Sequence, residues 1–216
     1  MSQESTVLTR AHFDYVRAHT RPQDPFLTEL KQAATAADMP AIAISPEQAS
    51  CMQIVLKLMR AEQVVEVGTL GGYSAISMAR ALPAGGRVRT VEVNPDHASF
   101  AEQWVKKSDV AGRVEVHLGS GLDVLPRFET NSADAAFLDA DKINYPRYLE
   151  ECLRIVRKGG LIMADNAFAF GQLLDPTESG PSVEAIRGFN DQVAADPRLH
   201  GCMVPLGDGF WIAIKS

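Results

Sequence analysis

From Gln63 onward, short apolar runs alternate with segments of helical spacing, and the alternation repeats five times. The runs are "QVVEVG", "RVRTVEV", "VEVHL", "DAAFLDA" and "GLIMAD". The helical segments are "GYSAISMARAL", "PDHASFAEQWVKK", "GLDVLPRF" and "YPRYLEECLRIV". Strands covered on both faces read as short continuous apolar runs, and a helix between consecutive strands makes them parallel. Five alternations therefore predict a parallel sheet with helices on both faces. A further helix, "SVEAIRGFNDQVAA", precedes two last runs, "GCMVPL" and "GFWIAIK". The short Gly207-Asp208-Gly209 link makes those two a hairpin, so one strand there runs antiparallel.

The expected fold is thus α/β: a Rossmann-like, doubly wound, seven-stranded sheet, mostly parallel, with one antiparallel strand near the C-terminus and helices at the N-terminus. Residues 1–60 carry the helices. "AHFDYVRAH" and "FLTELKQAATAA" have helically spaced apolar residues, broken around Pro22 and Pro25, and "SPEQASCMQIVLKLMRA" opens with Ser45 as N-cap and Pro46 at the first position. A chain of 216 residues, 46% hydrophobic, suits one domain. Within it we expect a helical cap or dimerisation segment over 1–45 and a core over 60–216. The apolar faces holding Phe13, Val16, Phe26, Leu27 and Leu30 need something to cover, either a pocket or a homodimer interface.

The net charge of −6 and the lack of any Lys/Arg block argue against nucleic acid or an anionic membrane as partner. "MSQESTVLTR" has no basic region followed by an apolar stretch, and no apolar run is long enough to span a bilayer, so a soluble cytoplasmic protein is expected. Cys51, Cys152 and Cys202 form no CxxC and sit in apolar neighbourhoods, which predicts buried reduced thiols. The five histidines make no ligand-spaced cluster, which argues against zinc.

In doubly wound sheets ligands sit at the carboxyl ends of the strands. The first strand ends "VEVGTLGGYSA", where Gly68, Gly71 and Gly72 permit a tight turn and close approach to a ligand. A dinucleotide loop would need glycine at 68, 70 and 73, but Leu70 and Tyr73 stand at the last two. Glu66 points an anion toward the site, which suits a cationic or amine-bearing ligand better than a phosphate. The second strand ends "TVEVNPD", with Glu92 placed to accept both hydroxyls of a ribose. A ribose-bearing ligand with a positive centre and no phosphate is S-adenosylmethionine.

The fourth and fifth strands end at Asp139 and at Asp165-Asn166. Two carboxylates and an amide oxygen on neighbouring strand ends are hard ligands for Mg²⁺ or Ca²⁺, with positions left open for water or substrate. Lys142, three residues beyond Asp139, is a candidate general base beside that cation.

These stretches, "EVGTLGGYS", "VEVNP", "FLDADKINYPRY", "GGLIMADN" and "PLGDGFWIAIKS", resemble the cation-dependent class I O-methyltransferases, the family of catechol and caffeoyl-CoA O-methyltransferases and their bacterial relatives. The resemblance covers roughly residues 40–216, and its most specific part is the D-A-D-K with the later D-N. It implies that Asp139, Asp165 and Asn166 hold the metal, Mg²⁺ first and Ca²⁺ or Mn²⁺ as alternatives, and that Lys142 is the base. It implies Glu92 at the cofactor ribose, and Glu66, Gly68, Thr69 and Ser74 at the methionine end. Gly121 and Asp141 would sit by the adenine, Asp139 would also border the cofactor, and Ile44 would touch it from the helix before the first strand. The implied acceptor is a vicinal dihydroxy phenol, and the implied assembly a homodimer.

Plant caffeoyl-CoA enzymes read D-N-x-x-W-x-G after the metal-binding strand, whereas this chain reads "DNAFAFGQ". Ala169 replaces their tryptophan and Phe170 a substrate-facing asparagine. No basic cluster for a CoA phosphate stands in the N-terminal segment. A free catechol, flavonoid or phenolic intermediate fits better than a CoA thioester, and Phe168 and Phe170 are either core or a substrate wall. Two other readings compete: a metal-dependent glycosyltransferase using Asp139-Ala-Asp141 as a D-x-D, and a non-enzymatic cofactor-binding regulatory domain.

Overall fold

The computed structural model describes residues 6–216; the first five residues of the expected cap segment lie outside the described residues. Three helices lead: α1 (Arg10–His19), α2 (Pro25–Ala36) and α3 (Pro46–Leu58). Then follow β1 (Gln63–Val67), α4 (Tyr73–Ala81), β2 (Arg87–Glu92), α5 (Pro95–Lys107), β3 (Val114–Leu118), α6 (Gly121–Val124), β4 (Ala133–Leu138), α7 (Tyr145–Ile155), β5 (Val156–Ala164), α8 (Pro181–Ala195), β6 (Leu199–Val204) and β7 (Phe210–Lys215). The seven strands form one sheet in the order β3-β2-β1-β4-β5-β7-β6. β7 runs antiparallel to both β5 and β6, and every other pairing is parallel, as the alternation and the hairpin predicted.

The period-two pattern divides each strand between two cores. Val64 and Phe137 face one side with Met52, Leu56, Ile76 and Trp104 from α3, α4 and α5. Val65 and Leu138 face the other with Leu149, Leu153 and Phe189 from α7 and α8. α3 starts where expected: Ser45 Oγ accepts from Gln48 N at 3.2 Å, and Pro46 takes the first position, where its missing N–H costs nothing.

Several expectations change. α2 is part of the core rather than a separate cap: Leu27 and Leu30 are buried, and Phe26 meets Trp104 edge-on at 5.3 Å. α1 buries no residue at all. The segment "GLDVLPRF" is not one helix; α6 ends at Val124 and a 3₁₀ turn, Leu125–Arg127, follows, because Pro126 cannot donate to continue the α ladder. β5 begins at Val156 instead of Gly160, since α7 runs directly into it and the extra residues form a bulge opposite Asp134. Cys152 is buried and Cys51 half-buried, but Cys202 is exposed. It lies on β6, the outermost strand, where no further layer covers the apolar sequence around it.

The turn leaving β1 passes over the end of β4. Gly68 has φ +102°, and a Cβ there would stand 1.8 Å from the Asp139 carbonyl oxygen. Neither the dihedral nor the space admits a side chain. Gly68→Ala should therefore destabilise the fold by on the order of 3 kcal/mol, a fall in Tm of roughly 6–12 °C. Thermal melting followed by circular dichroism checks this; an unchanged Tm would mean that the turn sits elsewhere.

Candidate active site

β1 and β4 are neighbours in the sheet although β2 and β3 lie between them in sequence, so the chain reverses its direction of winding here and opens a crevice at the strand ends. The ladder continues one step past each strand. Asp139 N donates to Val67 O at 2.9 Å and Asp165 N to Leu138 O at 3.0 Å. Those bonds set both acidic residues side by side, as the sequence predicted.

Lys142 joins them. It follows Asp139 on a 3₁₀ turn, Lys142–Asn144, and is only 9% exposed. Its Nζ donates to Asp139 Oδ1 at 3.1 Å and to the Tyr145 hydroxyl at 2.7 Å. The Tyr145 hydroxyl in turn donates to Leu138 O at 3.2 Å, so the lysine is held from below by a fully buried ring. Asp165 Oδ1 accepts from Gln48 Nε2 and from Asn166 N, each at 2.7 Å. Asn166 has φ +63° and its amide Nδ2 donates to Asp208 Oδ2 at 3.1 Å.

Burial pushes the Asp165 carboxyl up to about 6, with the charge of Asp139 adding to the shift. Burial raises Asp139 as well, against the pull of Lys142. Of the two carboxylates only Asp139 pairs with Lys142, which leaves a negative surplus in a poorly solvated place. That donor set fits a divalent cation with oxygen ligands. Among the described residues no three His, Cys, Asp or Glu side chains converge to hold a metal ion, so the acidic set here is a pair.

On the β1–β2 side, Glu66 is fully buried. Its Oε2 accepts from Thr90 Oγ1 at 2.5 Å, and Thr90 shares a 2.6 Å hydrogen bond with Thr69. Oε1 has no hydrogen-bond partner. Burial pushes this carboxyl up to about 8, so in the cofactor-free protein it is neutral near pH 7 rather than the anion expected from sequence. An orphaned buried oxygen is what an arriving ammonium group would satisfy. Ser74, also buried, opens α4 just beyond the glycine turn. Glu92 accepts from Leu70 N at 2.8 Å and from Asn94 N at 2.9 Å, so it ties the glycine turn to the end of β2.

Gly121 and Asp141 meet at one ring. A Cβ on Gly121 would stand 2.7 Å from the Tyr148 ring, and the Tyr148 hydroxyl donates to Asp141 Oδ1 at 2.6 Å. Asn144 engages the other Asp141 oxygen at 2.5 Å. Asp141 thus anchors Tyr148 and Asn144 with its two oxygens. Ile44 is buried in the core, but it stands in the loop before α3 and not on the helix as expected, because Ser45 caps that helix. Phe168 lies under Gly209, whose added Cβ would meet its ring at 2.7 Å, whereas Phe170 is 57% exposed. The first is half-buried against the Gly209 backbone, and the second stands in solvent.

Sequence reasoning missed Gln48, Tyr145, Tyr148 and Asp208. Tyr145 and Tyr148 stood in the quoted "KINYPRY", three and six residues after the lysine on one helical face, a spacing that could have drawn attention. Gln48 looked like an ordinary first-turn residue and Asp208 like a turn residue.

Glu66 also makes stability depend on pH. The unfolded carboxyl releases its proton near 4.5, whereas the folded one holds it to about 8. The contribution is complete below the unfolded value and is lost as pH rises through the folded one. In urea melts without cofactor, the stability of wild type relative to Glu66→Gln should fall from about pH 5 to about pH 8, at most about 1.4 kcal/mol per pH unit. A pH-independent difference would show that Glu66 is ionised in the fold.

Comparison with known proteins agrees with this geometry. The O-methyltransferase family pattern matches residues 17–216. A catechol O-methyltransferase of Niastella koreensis is 38% identical over 200 residues, 89% of this chain and 90% of that protein. The crystal structure of an O-methyltransferase from Bacillus cereus in complex with SAH superimposes with a TM-score of 0.86 at 36% identity, covering 95% of this chain and 97% of that one. That of the O-methyltransferase TomG from Streptomyces achromogenes, in complex with SAM, gives 0.86 at 30% identity, covering 95% and 96%. With the family pattern over residues 17–216 and a relative 38% identical over nearly the full length, the chain belongs to the O-methyltransferase family.

Proposed function

We propose that this enzyme transfers the methyl group of S-adenosylmethionine to one hydroxyl of a vicinal dihydroxy phenol, with the help of a divalent cation. The observation that carries this reading is Lys142, buried against Asp139 beside Asp165 at adjoining strand ends. The name of the Niastella koreensis relative supports the acceptor class, and the SAH and SAM complexes of the two solved relatives support the methyl donor.

Asp139, Asp165 and Asn166 would hold the cation, Mg²⁺ in the first instance. A bound divalent ion supplies Lewis acidity that makes a phenol more acidic, which matters because a phenol's pKa is near 10. Glu66 Oε1 would accept from the ammonium of the methionine moiety, between Thr69 and Ser74. Glu92 would receive the ribose hydroxyls. Tyr148, between Gly121 and Asp141, would border the adenine. Phe170 would form an apolar wall for the acceptor ring, in keeping with a free phenol rather than a CoA thioester. Lys142 would take the proton from the acceptor hydroxyl. The oxygen then attacks the methyl carbon in line: an O–C bond forms, the S–C bond breaks with its electron pair going to sulfur, and S-adenosylhomocysteine leaves.

We also infer a homodimer through α1. This ten-residue helix buries nothing, yet Val7, Tyr15 and Val16 are exposed on or beside it, with Ile54 and Leu58 exposed on α3. A helix so short needs packing to persist. Light scattering should give twice the chain mass, and Tyr15→Glu with Val16→Glu should shift it to the monomer mass.

For the cation, Asp165→Ala should abolish turnover of catechol while calorimetric binding of S-adenosylmethionine stays largely intact. Full activity after exhaustive EDTA treatment would refute the cation. For the base, Lys142→Ala should lower kcat by about 10²–10⁴-fold with little change in KM. The deficit should shrink at high pH and with nitrocatechols, which ionise more readily. Lys142→Arg should not rescue, because guanidinium cannot accept a proton. An equal deficit for catechol and nitrocatechol at every pH would remove Lys142 as base.

A further inference from the structure

Asn166 poses a steric puzzle. Its amide has an oxygen end and an NH₂ end of nearly equal size, and only the oxygen can face a cation. Rotation by a half turn would present hydrogens instead. Nothing in β5 itself forbids that rotation. What does is Asp208, on the hairpin loop between β6 and β7: its Oδ2 lies 3.1 Å from Asn166 Nδ2. A carboxylate only accepts, so it holds the NH₂ end and leaves the oxygen end turned away from itself.

Asp208 Oδ2 also accepts from Phe170 N at 2.8 Å. Two backbone bonds run alongside: Phe168 N to Asp208 O at 2.8 Å and Ala167 N to Gly209 O at 3.0 Å. The loop so held is strained, with Asn166, Ala169 and Phe170 all at positive φ. Such backbone persists only where the surroundings impose it. The flanking glycines allow the close approach. A Cβ on Gly207 would lie 2.5 Å from Gln48 Oε1, and one on Gly209 would lie 2.8 Å from Phe168 N. Gln48, seated against Gly207, turns its own NH₂ end to Asp165 Oδ1 at 2.7 Å. The hairpin loop therefore sets one candidate ligand directly and backs the residue that sets the other. Asp208 is not itself a third acidic ligand, since no such triad exists among the described residues.

We propose that Asp208 is a positioning residue: it fixes the Asn166 amide with its oxygen toward the cation and pins the Phe170 loop at the acceptor wall. This rests on the cation reading given under Proposed function. The physical expectation is that losing a partner that orients a metal ligand weakens metal affinity by roughly 10–100-fold.

The test is Mn²⁺ titration followed by electron paramagnetic resonance, without methyl donor or acceptor. It compares wild type with Asp208→Ala and Asp208→Asn. Asn166 Nδ2 and Phe170 N donate to the same oxygen of Asp208, so Asp208→Ala removes both bonds and frees the Asn166 amide to rotate; Mn²⁺ affinity should fall roughly 10–100-fold. In Asp208→Asn the amide oxygen takes the place of that oxygen and accepts both bonds, so affinity should stay within about tenfold of wild type. Asp208→Ala binding like wild type would overturn the proposal, as would Asp208→Asn binding as weakly as Asp208→Ala. Asp208→Asn keeps both hydrogen bonds and carries the test alone if Asp208→Ala does not fold: more than about tenfold weaker binding than wild type, the smallest loss expected for a disoriented ligand, would overturn it. Wild type that binds no Mn²⁺ would instead refute the cation reading, and this inference with it.

Discussion

One close approach organises the molecule. The turn after β1 lies on the carbonyl of Asp139, at a distance that only a glycine with a left-handed backbone permits. Because Gly68 has no side chain, the end of β1 and the end of β4 share one crevice. Glu66 and Glu92 approach from one wall, and Asp139, Lys142 and Asp165 from the other. Methyl transfer needs donor and acceptor within bonding reach, and in the reading proposed above this contact would bring their two subsites together.

The crevice holds polar groups that cost folding energy. Glu66 is buried with one oxygen unpaired, and Asp165 is raised by burial beside another carboxylate. Neither arrangement serves the fold, since buried polar groups without full partners destabilise it. In the proposed reading, each would become favourable on binding an ammonium group or a divalent cation. The surrounding apolar cores on both faces of the sheet supply the stability that tolerates this. Glu47 Oε2, Arg89 Nε and His117 Nε2 are also buried without partners, so what marks this crevice is that Glu66 and Asp165 stand at the ends of β1 and β5, on either side of β4.

Support for the site comes from outside the strands that carry it. Tyr145 holds Lys142 from α7, Gln48 holds Asp165 from α3, and Asp208 holds Asn166 from the last hairpin. Strand ends alone would leave these long side chains free to rotate. The inserted position of β7, next to β5 rather than at the edge, is what carries Asp208 to Asn166. The antiparallel strand thus has a chemical consequence as well as a topological one.

The strands and helices of the core were legible in the sequence because hydrophobic period is a local property, two residues in a strand and 3.6 in a helix. Asp139 and Asp165 were legible as a pair for a related reason: consecutive parallel strands tend to be neighbours, so their ends tend to meet. The glycine turn, Glu92 and Lys142 followed from strand ends in the same way. Only the tertiary structure decided the rest. Gln48 reaches across 117 residues to Asp165, and Asp208 across 42 to Asn166. In sequence each looks like an ordinary helix start or turn, because a polar residue's neighbours along the chain do not name its partner in space. Burial decided the charge of Glu66 and the edge position decided the exposure of Cys202, since solvation depends on how many layers cover a residue. Pattern along the chain sets what each segment becomes, and packing between segments sets which groups meet and how much water reaches them.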